Sequence, residues 1–391
     1  MAISSDLQRI SAAVRPFADA MMEFAPLAED PEACDFLAGN PEVAALPGYV
    51  DILKTWIEPR NRRWFAYGLG DPNASAAAAA ALSGELGITF DPRDIHLTRG
   101  AHGALALAMR LVVDRDEEVV FVSPPWFFYE ALILGAGAQP VRVRADEETW
   151  DLDVDAIEAA LTQRTRMVLI NTPNNPTGRI YPAATLEWLA DVLRAHSRRS
   201  GRDVYLLCDE AYSKVLFDGN RMITPAHWYE RSLLVHTYSK SALAPGQRLG
   251  FLAVPPTVEG REEFRLGSLV AGVATANMHP DAVMQYALAD IEASILLDMG
   301  RLQRRRDRVL EALRAFGYRV HTPEATFYLL VRSPMPDDLA FARRMAEDKV
   351  LVLPGAGFEM PGYFRISLTG TEAMFDRALP VFERAIKEAT D

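Results

Sequence analysis

RMVLINTPNNPTG (166–178) sets an aliphatic run, MVLI, directly against a turn dense in Asn, Pro and Gly. An uninterrupted apolar run of this length reads as a strand buried on both faces. The residues at its exit supply turn chemistry. The same grammar recurs on either side, in EVVFVS (118–123), QPVRVRA (139–145), DVYLLCDE (203–210), LLVHTYS (233–239) and LGFLAVP (249–255). Amphipathic segments such as VDAIEAALTQRT (154–165) and LEWLADVLRAHSRR (186–199) lie between them. Strands alternating with helices predict an α/β fold: a large domain with a mainly parallel sheet flanked by helices. Crossovers should be right-handed, and ligands should sit beyond the carboxyl ends of the strands.

Past residue 285 the pattern changes. ALADIEASILLDMGRLQRRRDRVLEALRAFG (287–317) reads as one long helix, followed by HTPEATFYLLVR (321–332) and a helix–strand pair ending in GYFRISLTG (362–370). This predicts a smaller α+β C-terminal domain. The N-terminal segment is too short to fold alone. The division is then 46–285 for the large domain, with 1–45 and 286–391 forming the small one. The Ala-rich stretch 74–82 reads as a closely packed helix, and RLQRRRDR (301–308) as a helix's solvated face.

Lys and Arg total 41 against 53 Asp and Glu, a net charge of -12, so the surface repels phosphate backbones and anionic lipid. Nucleic-acid and membrane partners are not expected; a local basic pocket for a small anion is compatible with that charge. Two cysteines, no secretory leader pattern and no apolar stretch of about 18 residues predict a cytoplasmic protein. The seven histidines show no HExxH-type spacing, so no metal is expected, and YGLGD (67–71) lacks the third glycine of a dinucleotide fingerprint.

The strand exits carry chemistry. Asn175 follows the run at 166–171, Asp209 and Tyr212 stand in CDEAY, Lys240 ends YSK, and Arg248 comes eight residues later. Taken singly, Asp209 reads as a helix cap, Lys240 as a solvated lysine and Arg248 as an ion-pair partner. Together they supply an amine for a Schiff base, a carboxylate for a pyridine nitrogen and a guanidinium for a phosphate. Those are the requirements for holding pyridoxal 5′-phosphate (PLP).

The ordered set NNPTG (174–178), DEAY (209–212), SK (239–240) with Arg in GQRLG (246–250), and FRISL (364–368) resembles the fold-type I PLP enzymes, specifically the aspartate aminotransferase superfamily of class I/II aminotransferases. The resemblance runs from about Gly39 to the end of the chain. It implies that Lys240 is the Schiff-base lysine and proton carrier, and that Asp209 pairs with the ring nitrogen. Tyr212 and Asn175 would donate to the ring oxygen O3′, and Trp126 would stack on the ring. Gly100, Ala101 and His102, at the start of a helix, would bind the phosphate with Ser239 and Arg248. Tyr67 would reach the phosphate of a neighbouring subunit. Arg365 would clamp the substrate α-carboxylate, helped by Gly39 and Asn175. Tyr129, Tyr328 and His279 are candidates for the side-chain pocket. PEATFY (323–328) departs from the family pattern, with Ala325 where glycine is usual, and is expected to reshape the substrate side of the site.

The function so implied is transfer of the amino group of an L-amino acid to a 2-oxo acid, in a homodimer with shared active sites. The alternatives are a PLP-dependent β/γ-lyase or a cyclase on a modified amino acid. A non-catalytic PLP-binding regulator is further off, because the family similarity leaves little chain for a DNA-binding domain.

Overall fold

MVLI does become a central strand. In the computed structural model, which describes residues 3–390, the strands are β1 (Cys34–Phe36), β2 (Ile95–Thr98), β3 (Glu118–Ser123), β4 (Gln139–Arg144), β5 (Thr165–Asn171), β6 (Tyr205–Asp209), β7 (Ser232–Thr237), β8 (Gly250–Ala253), β9 (Tyr328–Arg332), β10 (Val350–Pro354) and β11 (Tyr363–Ser367). The larger sheet has the order β2-β8-β7-β6-β5-β3-β4. From β4 to β7 every neighbouring pair is parallel.

Alternation along these strands serves two cores. Val120, Val122, Val168, Ile170, Leu206 and Leu234 face Ala74, Ala78, Leu189 and Leu193 on one side. Val119, Phe121, Met167, Leu169, Leu207 and Val235 face Ala104, Leu105 and Ala108 on the other. Both faces are therefore covered, which is why the runs lack polar alternation. The Ala-rich stretch is the helix Pro72–Leu86, opened by Asp71, whose side chain accepts from the backbone N–H of Asn73 and Ala74.

Two departures concern the sheet. LGFLAVP is antiparallel to β7, not a further parallel strand. Its connection from β7, residues 238–249, holds only the one-turn helix Tyr238–Ser241, and a parallel return usually needs a helix long enough to cross the sheet. IHLT, unnoticed in the sequence, pairs antiparallel with β8 as the edge strand β2. It is too short to stand out as a periodic run.

The smaller sheet has the order β1-β10-β11-β9. β1 lies parallel to β10 with Cys34 opposite Val350, so residues near the N-terminus pair with residues near the C-terminus. The predicted long helix is in fact two, Ala282–Ser294 and Met299–Phe316. Ile295 is extended, and the Asp298 side chain accepts from the N–H of Arg301 to start the second helix. The reading of RLQRRRDR as a solvated face is also corrected. Arg305 and Arg306 are 6% and 3% exposed because they fall on the same helical stripe as Leu302, Val309, Leu310 and Leu313. Arg305 pairs with Glu372, and Arg306 with Asp218.

The N-terminal helix Ser5–Phe24 bridges the two sheets' surroundings: it packs on the helix Tyr129–Gly135 and also on β10 and the turn Gly355–Phe358. Among the described residues no helix is long and apolar enough to cross a membrane.

Candidate active site

The carboxyl ends of β5, β6 and β7 open into a cavity of about 320 Å³. One wall carries Asn171, Asn175, Asp209, Tyr212, Thr237, Ser239, Lys240 and Arg248, and another carries Gly39, Asn40, Tyr328 and Arg365. Ala101, His102 and Trp126 line it as well, together with Phe17, Phe127 and Phe128.

Asp209 ends β6, in register with Asn171 at the end of β5. The Asn171 amide donates to the Asp209 carbonyl at 2.8 Å, which ties the two strand ends together. The Tyr129 hydroxyl donates to the Asp209 carboxylate at 2.7 Å, and the Ala211 N–H at 3.1 Å. Burial pushes the carboxyl's pKa up; the bonds from Tyr129 and Ala211 and the nearby His236 offset this only in part. A buried carboxylate so placed favours a cationic partner in the cavity, such as a protonated pyridine nitrogen.

Lys240 stands in a one-turn helix, Tyr238–Ser241, directly after β7, capped by the Thr237 hydroxyl accepting from the Ser239 N–H at 3.3 Å. Its ammonium lies 5.6 Å from the centre of the Tyr212 ring. Arg248 donates to the Ser239 hydroxyl and to the Pro245 carbonyl, each at 2.8 Å. Its guanidinium lies over Gly100. A Cβ there would come within 2.6 Å of Arg248 Nη2, and φ is +75°, so only glycine suits the position. Gly250 permits the next approach, since a Cβ on it would lie 2.8 Å from the Gly100 backbone. These two glycines let β8, Arg248 and the first turn of the helix Gly100–Val112 converge. A helix N-terminus under a guanidinium is a cradle for phosphate. Burial and then Arg248 lower the pKa of His102, whose ring stands edge-on to Trp126 at 5.5 Å.

Arg365 comes from β11, 2% exposed. It donates to Asn175 Oδ1 and to the Leu37 carbonyl, each at 2.9 Å, and sits 3.9 Å from the centre of the Tyr328 ring. Its Nε is buried without a partner. With no carboxylate beside it among the described residues, this buried guanidinium is set up to receive one. Because Arg365 occupies the Asn175 oxygen, the amide NH₂ is what Asn175 has to offer a ligand. Tyr212 donates to the Tyr328 hydroxyl at 3.2 Å. Burial raises the Tyr328 phenol, but Lys240 and Arg365 outweigh it and hold the group below its usual value. Burial keeps Tyr212 well above its own.

The cofactor expected from the sequence fits these residues on two observations, the buried Asp209 carboxylate and the Gly100 cradle under Arg248, and the unpartnered Arg365 Nε fits a substrate carboxylate beside it. Most of the sequence-derived set converges here: Lys240, Asp209, Tyr212, Asn175, Ser239, Arg248, Ala101, His102, Trp126, Gly39 and Arg365 line the cavity, with Gly100 against Arg248. Tyr67 does not. It is 92% exposed and packs on His279, so both lie away from this chain's cavity. Tyr129 is in the site's floor, bonded to Asp209, not in a side-chain pocket. Ala325 is fully buried in a bridge to Leu216 and does not line the cavity; the positive φ of +73° falls one residue later, on Thr326. Phe17, Asn40, Phe127, Phe128, Asn171 and Thr237 were missed. Only Phe127 and Phe128 had a signal, the aromatic run PPWFFYE.

The sequence matches the family described as "Aminotransferase class I and II" over residues 51–382. It is 31% identical over 362 residues to the aspartate/prephenate aminotransferase of Thermus thermophilus, covering 90% of each chain. It is 30% identical to aromatic-amino-acid aminotransferase 2 of Thermococcus litoralis, covering 77% of this chain and 78% of that one. The fold superposes on an amino transferase from Eubacterium rectale with a TM-score of 0.90 at 28% identity, covering 100% of both chains. None of these relatives favours elimination, cyclisation or a regulatory role. The sequence match, the relatives and the whole-chain fold together show that this chain belongs to the class I and II aminotransferases, PLP-dependent enzymes that transfer amino groups.

Proposed function

We propose the following division of labour for amino-group transfer from an L-amino acid to a 2-oxo acid. PLP, when bound, supplies a carbonyl carbon for the amino group and a ring that accepts electrons from the substrate Cα. Lys240 would hold the cofactor through its Nζ and would carry the proton to and from the substrate Cα. Asp209 keeps the ring nitrogen protonated, with Tyr129 holding its carboxylate in place. With the cofactor bound, Tyr212 would turn its hydroxyl proton from Tyr328 to the ring oxygen, the Asn175 NH₂ would donate there as well, and Trp126 would stack on the ring. Arg248, Ser239 and the N–H groups of Gly100, Ala101 and His102 bind the phosphate. Arg365 grips the substrate α-carboxylate with two parallel bonds, assisted by Asn175 and the Gly39 backbone.

The observation that carries this reading is the convergence of Asp209 from the end of β6, Lys240 and Arg248 from the β7–β8 connection, and Arg365 from β11 on one cavity. The test is the visible absorption of the purified protein with PLP. Loss of the bound-cofactor band on adding an L-amino acid, and its return on adding a 2-oxo acid, is the expected result. Lys240→Ala should abolish the cycle. Release of ammonia in place of reversible cycling would overturn it.

A homodimer is part of the same proposal. Phe65, Tyr67 and Leu69 are exposed, as are Leu266, Val270 and Val273 on the helix Arg261–Ala274. Leu69 and Leu269 line one hollow together, which makes this a continuous apolar surface. A second copy seated there would bring Tyr67 to its neighbour's phosphate. Free, buried Cys34 and Cys208 support a reducing, cytoplasmic setting. The pairing of β1 with β10 supports a small domain made of 1–45 and 286–391 beside a large one of 46–285.

A further inference from the structure

We propose that Phe17 is a specificity-determining residue, and that with Phe127 and Phe128 it forms an aromatic subsite for the side chain of the amino donor. The inference rests on the aminotransferase reading of the cavity and adds the substrate class: amino acids with an aromatic side chain.

The charge inventory of the cavity comes first. Its permanently or ordinarily charged lining groups are Lys240, Arg248, Arg365 and Asp209. Cofactor and α-carboxylate engage all four, and burial disfavours the charged form of His102. Among the described residues this chain brings no further cation to the cavity for the second carboxylate of a dicarboxylic donor. What remains is aromatic. The rings of Phe17 and Phe127 stack with centroids 3.7 Å apart and 8° between planes. Phe128 stands edge-on to both, at 5.4 Å from Phe17 and 4.6 Å from Phe127. All three rings are half-buried, so each keeps surface that an apolar side chain can cover. Stacked and edge-on arrangements are those that aromatic rings prefer, and a substrate ring can join such a cluster on the same terms.

Phe17 is also held in place from two sides. Its helix packs on Tyr129–Gly135 beneath the aromatic run and on the turn Gly355–Phe358. Gly357 of that turn lies against the Phe17 backbone, at ordinary van der Waals distance. The ring therefore reaches the cavity from a rigid helix, so substituting it changes the pocket wall and not a loose tail.

The test uses the PLP-loaded protein. Amino-donor kcat/KM is measured with L-phenylalanine, L-alanine and L-aspartate, and calorimetry reads binding of 3-phenylpropionate and succinate, which carry no amino group. The wild-type protein should favour L-phenylalanine over L-aspartate and bind 3-phenylpropionate more tightly than succinate, each by about tenfold or more. Phe17→Ala should lower the phenylalanine-to-alanine ratio of kcat/KM by roughly tenfold and weaken 3-phenylpropionate, with Phe17→Leu recovering part of both. Preference for aspartate or succinate, or ratios and affinities unmoved in both variants, would overturn the proposal. If no amino acid is turned over, the parent reading fails separately. Calorimetry then decides the subsite: weakening of 3-phenylpropionate by Phe17→Ala retains it, and no weakening removes it.

Discussion

At Asp209 burial and hydrogen bonding pull in opposite directions. Burial favours the neutral acid, while the bond from Tyr129 favours the carboxylate that a pyridine nitrogen needs. Tyr129→Phe removes that bond without changing shape. Losing a hydrogen bond to the charged form disfavours that form, so the Asp209 pKa should rise further. The acid limb of the kcat/KM profile should move to higher pH with it, and an unmoved limb would remove Tyr129 from this role. Tyr129 was noticed in the sequence as an aromatic near the site, but its partner lies 80 positions away. Thr326 teaches a similar lesson. The local pattern drew attention to Ala325, yet the left-handed backbone sits on its neighbour, a β-branched residue. Such a residue tolerates φ > 0 only where its surroundings impose it. Here the Thr326 N–H donates to the Val215 carbonyl at 2.8 Å, and its hydroxyl accepts from the Tyr328 N–H at 3.2 Å.

Among the elements, the break before Met299–Phe316 has a local cause that an apolar-periodicity reading passes over. SILLD continues the apolar pattern, but Asp298 offers the new helix a side-chain acceptor for the Arg301 N–H. Asp298→Ala should cost about 1 kcal/mol. A melting temperature lowered by a few degrees checks this, and no shift would mean that packing alone starts the helix. The same helix shows why charge runs mislead. Arg305 and Arg306 lie on its buried stripe because Glu372 and Asp218 meet them there, and each also donates to a backbone carbonyl, of Leu368 and Pro323. A buried guanidinium is tolerable when its donors are satisfied. β8 shows the converse, a strand legible in its own residues whose direction follows from a connection to β7 with only one turn of helix.

Across the whole molecule, two predictions follow from surfaces and buried groups. Val270 is 66% exposed on the apolar face proposed to meet a second copy. Val270→Glu should leave a monomer in sedimentation or light scattering and lower activity at least tenfold, since desolvating an unpaired carboxylate is costly. A wild-type monomer, or a variant still dimeric, would sink the proposed assembly. Acid should also destabilise the fold through two histidines. Burial lowers both His96 and His321 from 6.5 to about 4. Between those values the unfolded chain binds protons that the folded one does not, so stability is full above pH 6.5 and is lost as pH falls towards 4. The slope is on the order of 1.4 kcal/mol per pH unit for each histidine. Thermal melts from pH 7 to 4.5 measure it, and His96→Gln should make the fall shallower.

Local order in the chain determined a good deal by itself: the five parallel strands, the chemistry at their exits, and through FRISL the arginine that enters the same cavity. Strand runs and turn residues are short-range patterns, and a parallel sheet delivers strand exits to a common edge whatever the loops do. Tertiary structure alone decided the burial of Arg305 and Arg306, the bond from Tyr129 to Asp209 and the arrival of Phe17 at the cavity. Each depends on a contact between residues distant in sequence. Such contacts are set by how elements pack, and nothing in the residues nearby encodes them.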